Sequence, residues 1–136
     1  MNFMVFLAEQ WILLSILSVL VAALVVFEGR KGGKALSHHE VTRMLNRDEA
    51  VVVDVRDGKE FSAGHIVDAI HIPYLKLADR SSELEKHRSK TIVVVDKMGQ
   101  HAGAAGKTLK DKGFTVNRLQ GGISEWQSQN LPVVKS

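Results

Sequence analysis

Residues 91–102 read TIVVVDKMGQHA, five β-branched residues followed by a polar segment. The run from Thr91 to Val95 lacks the alternation of polar and apolar residues that marks a half-exposed strand. It therefore predicts a strand that is buried on both faces of a parallel sheet. Residues 50–55, AVVVDV, have a similar composition and predict a second strand of the same kind.

The segment after the first of these strands predicts a loop over residues 96–101 and then a helix. Ala102, Ala105 and Leu109 recur at helical spacing, and Gly113 predicts the end of that helix. Backbone N–H groups converge where a loop enters the N-terminus of a helix, so a loop of this kind favours an anion.

Shorter elements surround these strands. The spacings Ser37–Glu40 and Asp57–Glu60 each predict the start of a helix, and Gly121-Gly122 predicts a turn into another. Short strands are predicted over residues 35–36, 69–72 and 114–119, and helical turns over 75–77 and 83–86. Because strands alternate with helices, the fold class is α/β, a sandwich around a largely parallel sheet.

The composition excludes several classes of function. The 136 residues are 45% apolar and 24% charged, which is typical of a globular chain, and they include no cysteine. Disulfides, thiolate metal sites and a thiol nucleophile are therefore excluded. Of the net charge of +3, residues 1–34 hold two acidic and three basic groups, or +1, which leaves +2 for the remainder. That charge is too small for a nucleic-acid-binding surface.

The N-terminal segment predicts a single-pass transmembrane helix. Residues 11–27 carry no charge, and apolar residues extend this run back to Phe3, which gives the roughly 20 residues that span a bilayer. We assign residues 1–28 to the anchor, 29–35 to a basic, glycine-rich linker and 36–136 to the folded domain. No Lys or Arg precedes the run and several follow it, so the domain is expected in the cytoplasm.

Two alternatives for this segment are less favoured. A cleaved signal peptide has a basic N-terminal region, which this chain lacks. A core helix that is apolar on all sides requires a larger protein around it. Whether the helix packs on a partner helix stays open, because Ser15, Ser18, Ala22 and Ala23 are small but form no GxxxG motif.

Three motifs give the domain a family resemblance. They are Asp54-Val55-Arg56 with Glu60-Phe61, Gly64-His65-Ile66 and Ile72-Pro73; the Thr91–Val95 strand with its loop and helix; and Gly121-Gly122-Ile123 with Trp126 and Leu131-Pro132-Val133. Together they resemble the rhodanese homology family over residues 36–134. The layout is similar to that of bacterial membrane-anchored single-domain members. The resemblance implies a three-layer sandwich with a mainly parallel five-stranded sheet, and an inner-membrane location.

The sequence departs from the family at the active-site loop. In the family a catalytic cysteine follows the central strand. A glycine lies three residues after the cysteine, and an arginine often lies two residues after that glycine. Here Asp96 stands at the cysteine position and His101 at the usual arginine position, with Gly99 at the expected spacing. The resemblance therefore implies an active-site-like loop, and no catalytic residue is expected in it. The loop comprises Asp96, Lys97, Met98, Gly99, Gln100, His101 and Ala102.

The chemistry of this loop follows from that replacement. Sulfur transfer needs a thiolate that carries sulfur as a persulfide, and a carboxylate cannot form this intermediate. We expect Asp96 to supply the anion that the loop N–H groups favour. For Asp54 and Arg56 we favour a structural ion pair over substrate contact, and for His101 a solvent-facing role over acid–base catalysis. The remaining histidines show no paired metal spacing, so neither a metal nor a cofactor is expected.

Two functions remain open at this stage. The favoured one is a catalytically inactive rhodanese-like module that is held at a membrane and binds a membrane protein or a sulfur carrier. The alternative is a sulfurtransferase-related protein that handles persulfide sulfur on a partner's cysteine. They differ in whether the loop surface engages a thiol-bearing partner.

Overall fold

The computed structural model describes residues 2–30 and 33–135. The chain divides into two compact units, one ending at Arg30 and the other following it.

The first unit is a single helix, α1, which runs from Phe3 to Arg30. Its segment Phe3–Val25 is 23 residues long, apolar enough to cross a membrane, and not buried anywhere. At about 1.5 Å per residue this segment extends about 35 Å, which exceeds the roughly 30 Å of a bilayer's hydrocarbon core. The hydroxyls of Ser15 and Ser18 donate to carbonyls one turn earlier, at 2.8 and 2.9 Å. Neither hydroxyl therefore needs an outside partner.

The predicted linker over residues 29–35 is shorter in the structure. Helix α1 includes Gly29 and Arg30, and the first strand, β1, already begins at Lys34, which pairs with Asn117. Helix ends vary by one or two residues, since their final carbonyls have no partner within the helix. Residues 31–32 lie outside the described part of the chain.

The second unit is built on five strands in the order β1-β5-β4-β2-β3, and every pair of neighbours is parallel. The strands are β1 Lys34–Leu36, β2 Ala50–Asp54, β3 Ile70–His71, β4 Thr91–Val95 and β5 Val116–Leu119. Strands β2 and β4 are the two buried strands that the sequence predicts, and they lie side by side near the centre. Because all five strands run in one direction, their C-terminal ends share one edge, which places the loop after β4 next to the segments after β2 and β3.

Helices cover both faces of this sheet. They are α2 His38–Asn46, α3 Gly58–Ala63, α4 Leu77–Arg80, α5 Ala102–Asp111 and α6 Gly122–Ser128, with 3-10 segments at Tyr74–Lys76 and Ser81–His87. The predicted starts of α2 and α3 have the expected caps. The Ser37 hydroxyl and the Asp57 carboxylate accept from the Glu40 and Glu60 N–H groups.

Two apolar clusters occupy the two faces and give the three layers that the sequence predicts. Ile92 and Val94 of β4 pack with α5, whereas Val93 and Val95 pack with α2 and α6 around Trp126. Successive side chains of β4 thus enter opposite cores, which explains why all four residues from Ile92 to Val95 are apolar. The α/β class with a mainly parallel five-stranded sheet is confirmed.

Strands β3 and β5 are shorter than the sequence predicts. Strand β3 has only two residues instead of four, and β5 begins at Val116 rather than Phe114. Pro73 has no N–H group and stops the extension of β3. Phe114 is buried in the core without pairing in the sheet. These flanking residues are apolar because they are buried, and the sequence pattern cannot distinguish burial in the core from pairing in the sheet.

The Gly121-Gly122 turn fixes the loop that follows β4. The N–H groups of Ile123 and Ser124, at the start of α6, donate to the carbonyls of Asp96 and Lys97 at 2.8 and 2.9 Å. Gly122 has φ +62°, and a Cβ there would lie 2.5 Å from the Asp96 carbonyl oxygen. This close approach requires glycine.

Replacing Gly122 with alanine tests that contact. Gly122→Ala should lower the free energy of unfolding by about 1–3 kcal/mol, because it adds left-handed strain and forces the loop away from α6. The measurement is urea unfolding of the domain, followed by the fluorescence of Trp126. The control is Gly58→Ala, where a Cβ meets nothing within 4 Å. Equal effects of the two substitutions would show that α6 does not hold the loop.

Candidate functional site

The carboxylate of Asp96 lies at the centre of the loop between β4 and α5. The Gly99 N–H donates to its Oδ1, and the N–H groups of His101 and Ala102 donate to its Oδ2 at 2.5 and 3.0 Å. The residue is 2% exposed. Three backbone donors therefore converge on one internal anion at the N-terminus of α5, the arrangement that otherwise binds a ligand anion.

The backbone of the loop is shaped around this carboxylate. Gly99 has φ +101°, which reverses the chain so that N–H groups on either side of the turn face inward. The Gln100 side chain accepts from the Met98 N–H at 3.0 Å and closes the outer part of the loop. The loop residues predicted from the sequence are therefore together in the structure, with Asp96 inside and the Lys97, Met98 and His101 side chains exposed.

Asp54 and Arg56 form a buried ion pair beside the loop. The guanidinium Nε and Nη2 donate to the Asp54 carboxylate at 3.0 and 2.8 Å, and Nη2 also donates to the Gly64 carbonyl at 2.7 Å. Both side chains are nearly inaccessible, with Arg56 6% and Asp54 1% exposed. The Arg56 guanidinium thus bonds both to Asp54 at the end of β2 and to the Gly64 carbonyl in the turn after α3. Its role is therefore structural.

A cleft of about 530 Å³ opens next to Asp96. Its wall includes the ring of Tyr74, which stacks on the imidazole of His101 with centroids 4.8 Å apart. Leu75 and Lys76 lie on the same wall and are exposed, Leu75 to 89%. Sequence reasoning missed these three residues, because only the parallel order of β4, β2 and β3 brings residues 74–76 to the loop. Pro73, which ends β3, was the one sequence signal that residues 74–76 leave the sheet at this point.

Two of the histidines, His65 and His71, have structural contacts. The Phe61 ring lies between those of His65 and His71, with centroid separations of 3.8 and 4.4 Å. His65 Nδ1 donates to the Phe61 carbonyl, and His71 Nε2 donates to the Arg56 carbonyl, at 2.7 and 2.8 Å. These rings brace α3 against the sheet. Within the described residues, no group of three potential ligands is arranged for a metal.

A second, larger cavity of about 610 Å³ contains none of the predicted loop residues. It is lined by residues of α2, β2 and the segment after α6, together with Lys86, His87 and Lys90. Burial, followed by the charges of Lys86 and Lys90, lowers the pKa of His87 below its ordinary value. A neutral His87 between two lysines provides no catalytic pair, so the cleft beside Asp96 is the better candidate.

Comparison with known proteins decides the family. The model of the rhodanese-like domain matches residues 37–129, a range that includes the loop after β4. The chain belongs to the rhodanese-like domain family. The uncharacterized protein YibN of Escherichia coli K12 is 38% identical over 104 residues, or 75% of this chain and 73% of that protein.

Solved structures agree with this assignment. A rhodanese-related protein from Thermoplasma volcanium superimposes with a TM-score of 0.70 at 27% identity, covering 76% of this chain and 99% of that one. A thiosulfate sulfurtransferase from Pseudomonas aeruginosa has a TM-score of 0.68 at 23% identity, covering 75% of this chain and 20% of that chain. The second likeness shows the fold alone.

The donors around Asp96 lead to a test of the internal anion. Asp96→Asn should lower the free energy of unfolding at neutral pH by about 1–3 kcal/mol, because both carboxylate oxygens accept N–H bonds and an amide NH₂ would face one of those donors. Urea unfolding of the domain measures the difference.

Asp57→Asn is the matched control for this substitution. Asp57 caps α3 through one oxygen that accepts from the Glu60 N–H at 2.8 Å. Asparagine caps helices about as well as aspartate, so this change should have little effect. A loss at Asp96 no larger than at Asp57 would contradict the internal-anion role.

Proposed function

We propose that this protein is a membrane-anchored rhodanese-like module without sulfurtransferase activity, and that it binds another protein through the surface around its loop. The observation that carries the proposal is the Asp96 carboxylate, which stands at the family's nucleophile position and accepts the three loop N–H bonds.

The absence of catalysis is supported by the chemistry of the loop. None of the 136 residues is a cysteine, so this chain has no thiolate to carry a persulfide. The anion-binding donors are also occupied, since Asp96 accepts from Gly99, His101 and Ala102. A thiosulfate or persulfide anion entering the cleft would compete with a covalently attached carboxylate for the same N–H groups.

The location is supported by helix α1 and the charges that follow it. The helix is long and apolar enough to cross a membrane, and the basic residues Arg30, Lys31 and Lys34 come directly after the apolar run. Positive residues are retained on the cytoplasmic side of a span. We therefore place the domain at the cytoplasmic face of the bacterial inner membrane, with the N-terminus outside.

The binding surface is supported by exposed apolar side chains beside the cleft. Leu75 is 89% exposed and Met98, at the tip of the loop, is 66% exposed. Lys76 and Lys97 are adjacent to them and exposed. A partner segment with an apolar side chain and acidic groups complements this combination. A membrane protein with such a cytoplasmic segment is the partner we favour over a sulfur carrier.

The alternative function is the handling of persulfide sulfur on a partner's cysteine. The open cleft beside Asp96 has room for a side chain, which is the observation in its favour. Against it, the occupied N–H donors offer no site to an incoming persulfide anion. Activity measurements separate the two functions.

The first test is thiosulfate:cyanide sulfurtransferase activity of the native chain and of its Asp96→Cys variant. The native chain should form no thiocyanate above the uncatalysed rate. The variant places a thiol where Asp96 now receives three N–H bonds, so it should gain a persulfide and measurable turnover. Persulfide formation is followed by mass spectrometry of the intact protein.

The outcomes of this test differ in meaning. Turnover by the native chain would contradict the proposal and favour the sulfurtransferase-related alternative. If Asp96→Cys stays inactive, the loop does not retain the family geometry around its first residue. Faster transfer of sulfur from a partner's cysteine persulfide to an added thiol acceptor in the presence of the native chain would also favour the alternative.

The second test maps the partner-binding surface in cells. Because the chain lacks cysteine, Leu75→Cys provides a single attachment point for a photo-cross-linker. It should yield a defined adduct with a membrane protein, and a second substitution, Met98→Glu, should reduce that adduct several-fold because it removes apolar contact.

Val67→Cys is the control position for the cross-linker. Val67 is 49% exposed and lines the other cavity, away from the loop residues. Equal adduct formation at positions 67 and 75, or an adduct insensitive to Met98→Glu, would show that the cleft rim is not the binding surface.

A further inference from the structure

Six large apolar residues of helix α1 lie along one line of its surface, although the largest, Trp11, lies off that line. From Phe3 onward, seven residues spaced alternately three and four apart form a line along the helix, which we call the seam. The seam consists of Phe3, Phe6, Gln10, Leu13, Leu17, Leu20 and Leu24. Between residues 3 and 25 both phenylalanines and four of the six leucines lie on it, whereas the alanines, serines, valines and isoleucines all lie elsewhere. Alternating intervals of three and four are the heptad spacing of a left-handed helix pair.

Gln10 is the only polar residue of this seam. It is exposed, and no hydrogen bond involves its amide within the part of the chain that the structure describes. Ser15 and Ser18 differ in this respect, since both hydroxyls donate to carbonyls of their own helix. Gln10 is seven residues, or about 10 Å, inside the Phe3–Val25 segment. An amide at that depth in lipid is stabilised by a hydrogen bond from another helix.

A second copy of this chain supplies the matching group. Two copies in one membrane insert in the same orientation, so a parallel pair places the same seam residues opposite each other at the same depth. A glutamine amide both donates and accepts, and it therefore complements itself. Glu9 lies beside the seam at a flanking heptad position, where its carboxyl can accept from the other helix's Gln10. A polar residue at one core position of a coiled coil also fixes register and orientation.

We propose that α1 forms a parallel homodimer in the membrane through this seam, with the two Gln10 amides hydrogen-bonded to each other. This inference rests on the membrane anchoring in the proposed function and is independent of the partner-binding cleft. Apolar packing between helices gains little over packing against lipid, so the Gln10 pair sets the strength and register of the dimer.

The small residues define a competing face. Ala8, Ser15 and Ala22 recur every seven residues on another side of the helix. That face would allow close approach of two backbones, but it contains no polar group that lacks a partner, because Ser15 bonds to Trp11 within its own helix. The seam through Gln10 has both the spacing and the unsatisfied group.

The experiment uses disulfide cross-linking of the full chain in isolated membranes, which is simple because the native chain has no cysteine. Membrane sedimentation after alkaline extraction first establishes the anchoring. Single substitutions Leu13→Cys, Leu17→Cys and Leu20→Cys should give dimers on oxidation. Ser15→Cys and Ala22→Cys, at the competing face, should give few.

A second measurement addresses the hydrogen bond. Dimerisation of the full chain in lipid vesicles should weaken roughly three- to twentyfold in Gln10→Leu, as expected for the loss of an interhelical hydrogen bond. Gln10→Asn should retain most of the affinity. Ser15→Leu is the matched control, and it should change the affinity little, since the Ser15 hydroxyl is satisfied inside its own helix.

Each failure has a separate meaning. A chain released by alkaline extraction overturns both the anchoring and this dimer. An extraction-resistant chain that cross-links mainly at Ser15→Cys and Ala22→Cys, or at none of the five positions, overturns the dimer alone. Seam cross-linking that is unaffected by Gln10→Leu overturns the assignment of the Gln10 pair. None of these outcomes depends on the sulfurtransferase assay.

Discussion

The closure of the loop on the Asp96 carboxylate is the interaction on which the site depends. Three N–H groups point inward because Gly99 reverses the chain and α5 begins immediately afterwards. Without the carboxylate at their focus, these three donors would lose the acceptor they share, and the buried Ala102 N–H would be left unsatisfied, which costs about 1–3 kcal/mol. In an enzyme of this family the corresponding negative charge belongs to a thiolate or to its substrate. Here the charge belongs to Asp96, a residue of the chain itself, so the loop N–H groups have an acceptor without any ligand.

Two further contacts fix the surroundings of this carboxylate. The start of α6 holds the Asp96 and Lys97 carbonyls from one side, and the Asp54–Arg56 pair ties the end of β2 to the Gly64 turn on the other. A buried ion pair adds little net stability, but loss of one partner is costly because the other charge is left unpaired. These contacts therefore define one arrangement of the cleft rather than a set of alternatives. They explain why an active-site-like geometry persists around a residue that cannot act as the nucleophile.

The sequence predicted the centre of this domain well and its periphery less well. Strands β2 and β4 and the position of Asp96 were predictable, because burial on both faces and the spacing to Gly99 leave a direct signature in the residue types. The cleft wall at Tyr74 and Leu75 was not, since those residues are adjacent to the loop only through strand order. The docking of Gly122 on the Asp96 carbonyl was also missed. A glycine pair indicates a turn, but it does not reveal which backbone atoms approach it.

The two units of the chain differ in how their polar groups are satisfied, and this difference indicates where partners act. In the described part of the domain, no buried side-chain nitrogen or oxygen atom lacks a hydrogen bond. A partner for the domain therefore gains by covering apolar surface such as Leu75 and Met98, not by completing a polar site. Helix α1 has the opposite character in the proposed membrane dimer, where lipid covers its apolar surface and the Gln10 amide takes its hydrogen bond from the other helix. Under the two proposals, hydrogen bonding governs the association of the helices, and apolar burial governs the binding of a partner to the domain.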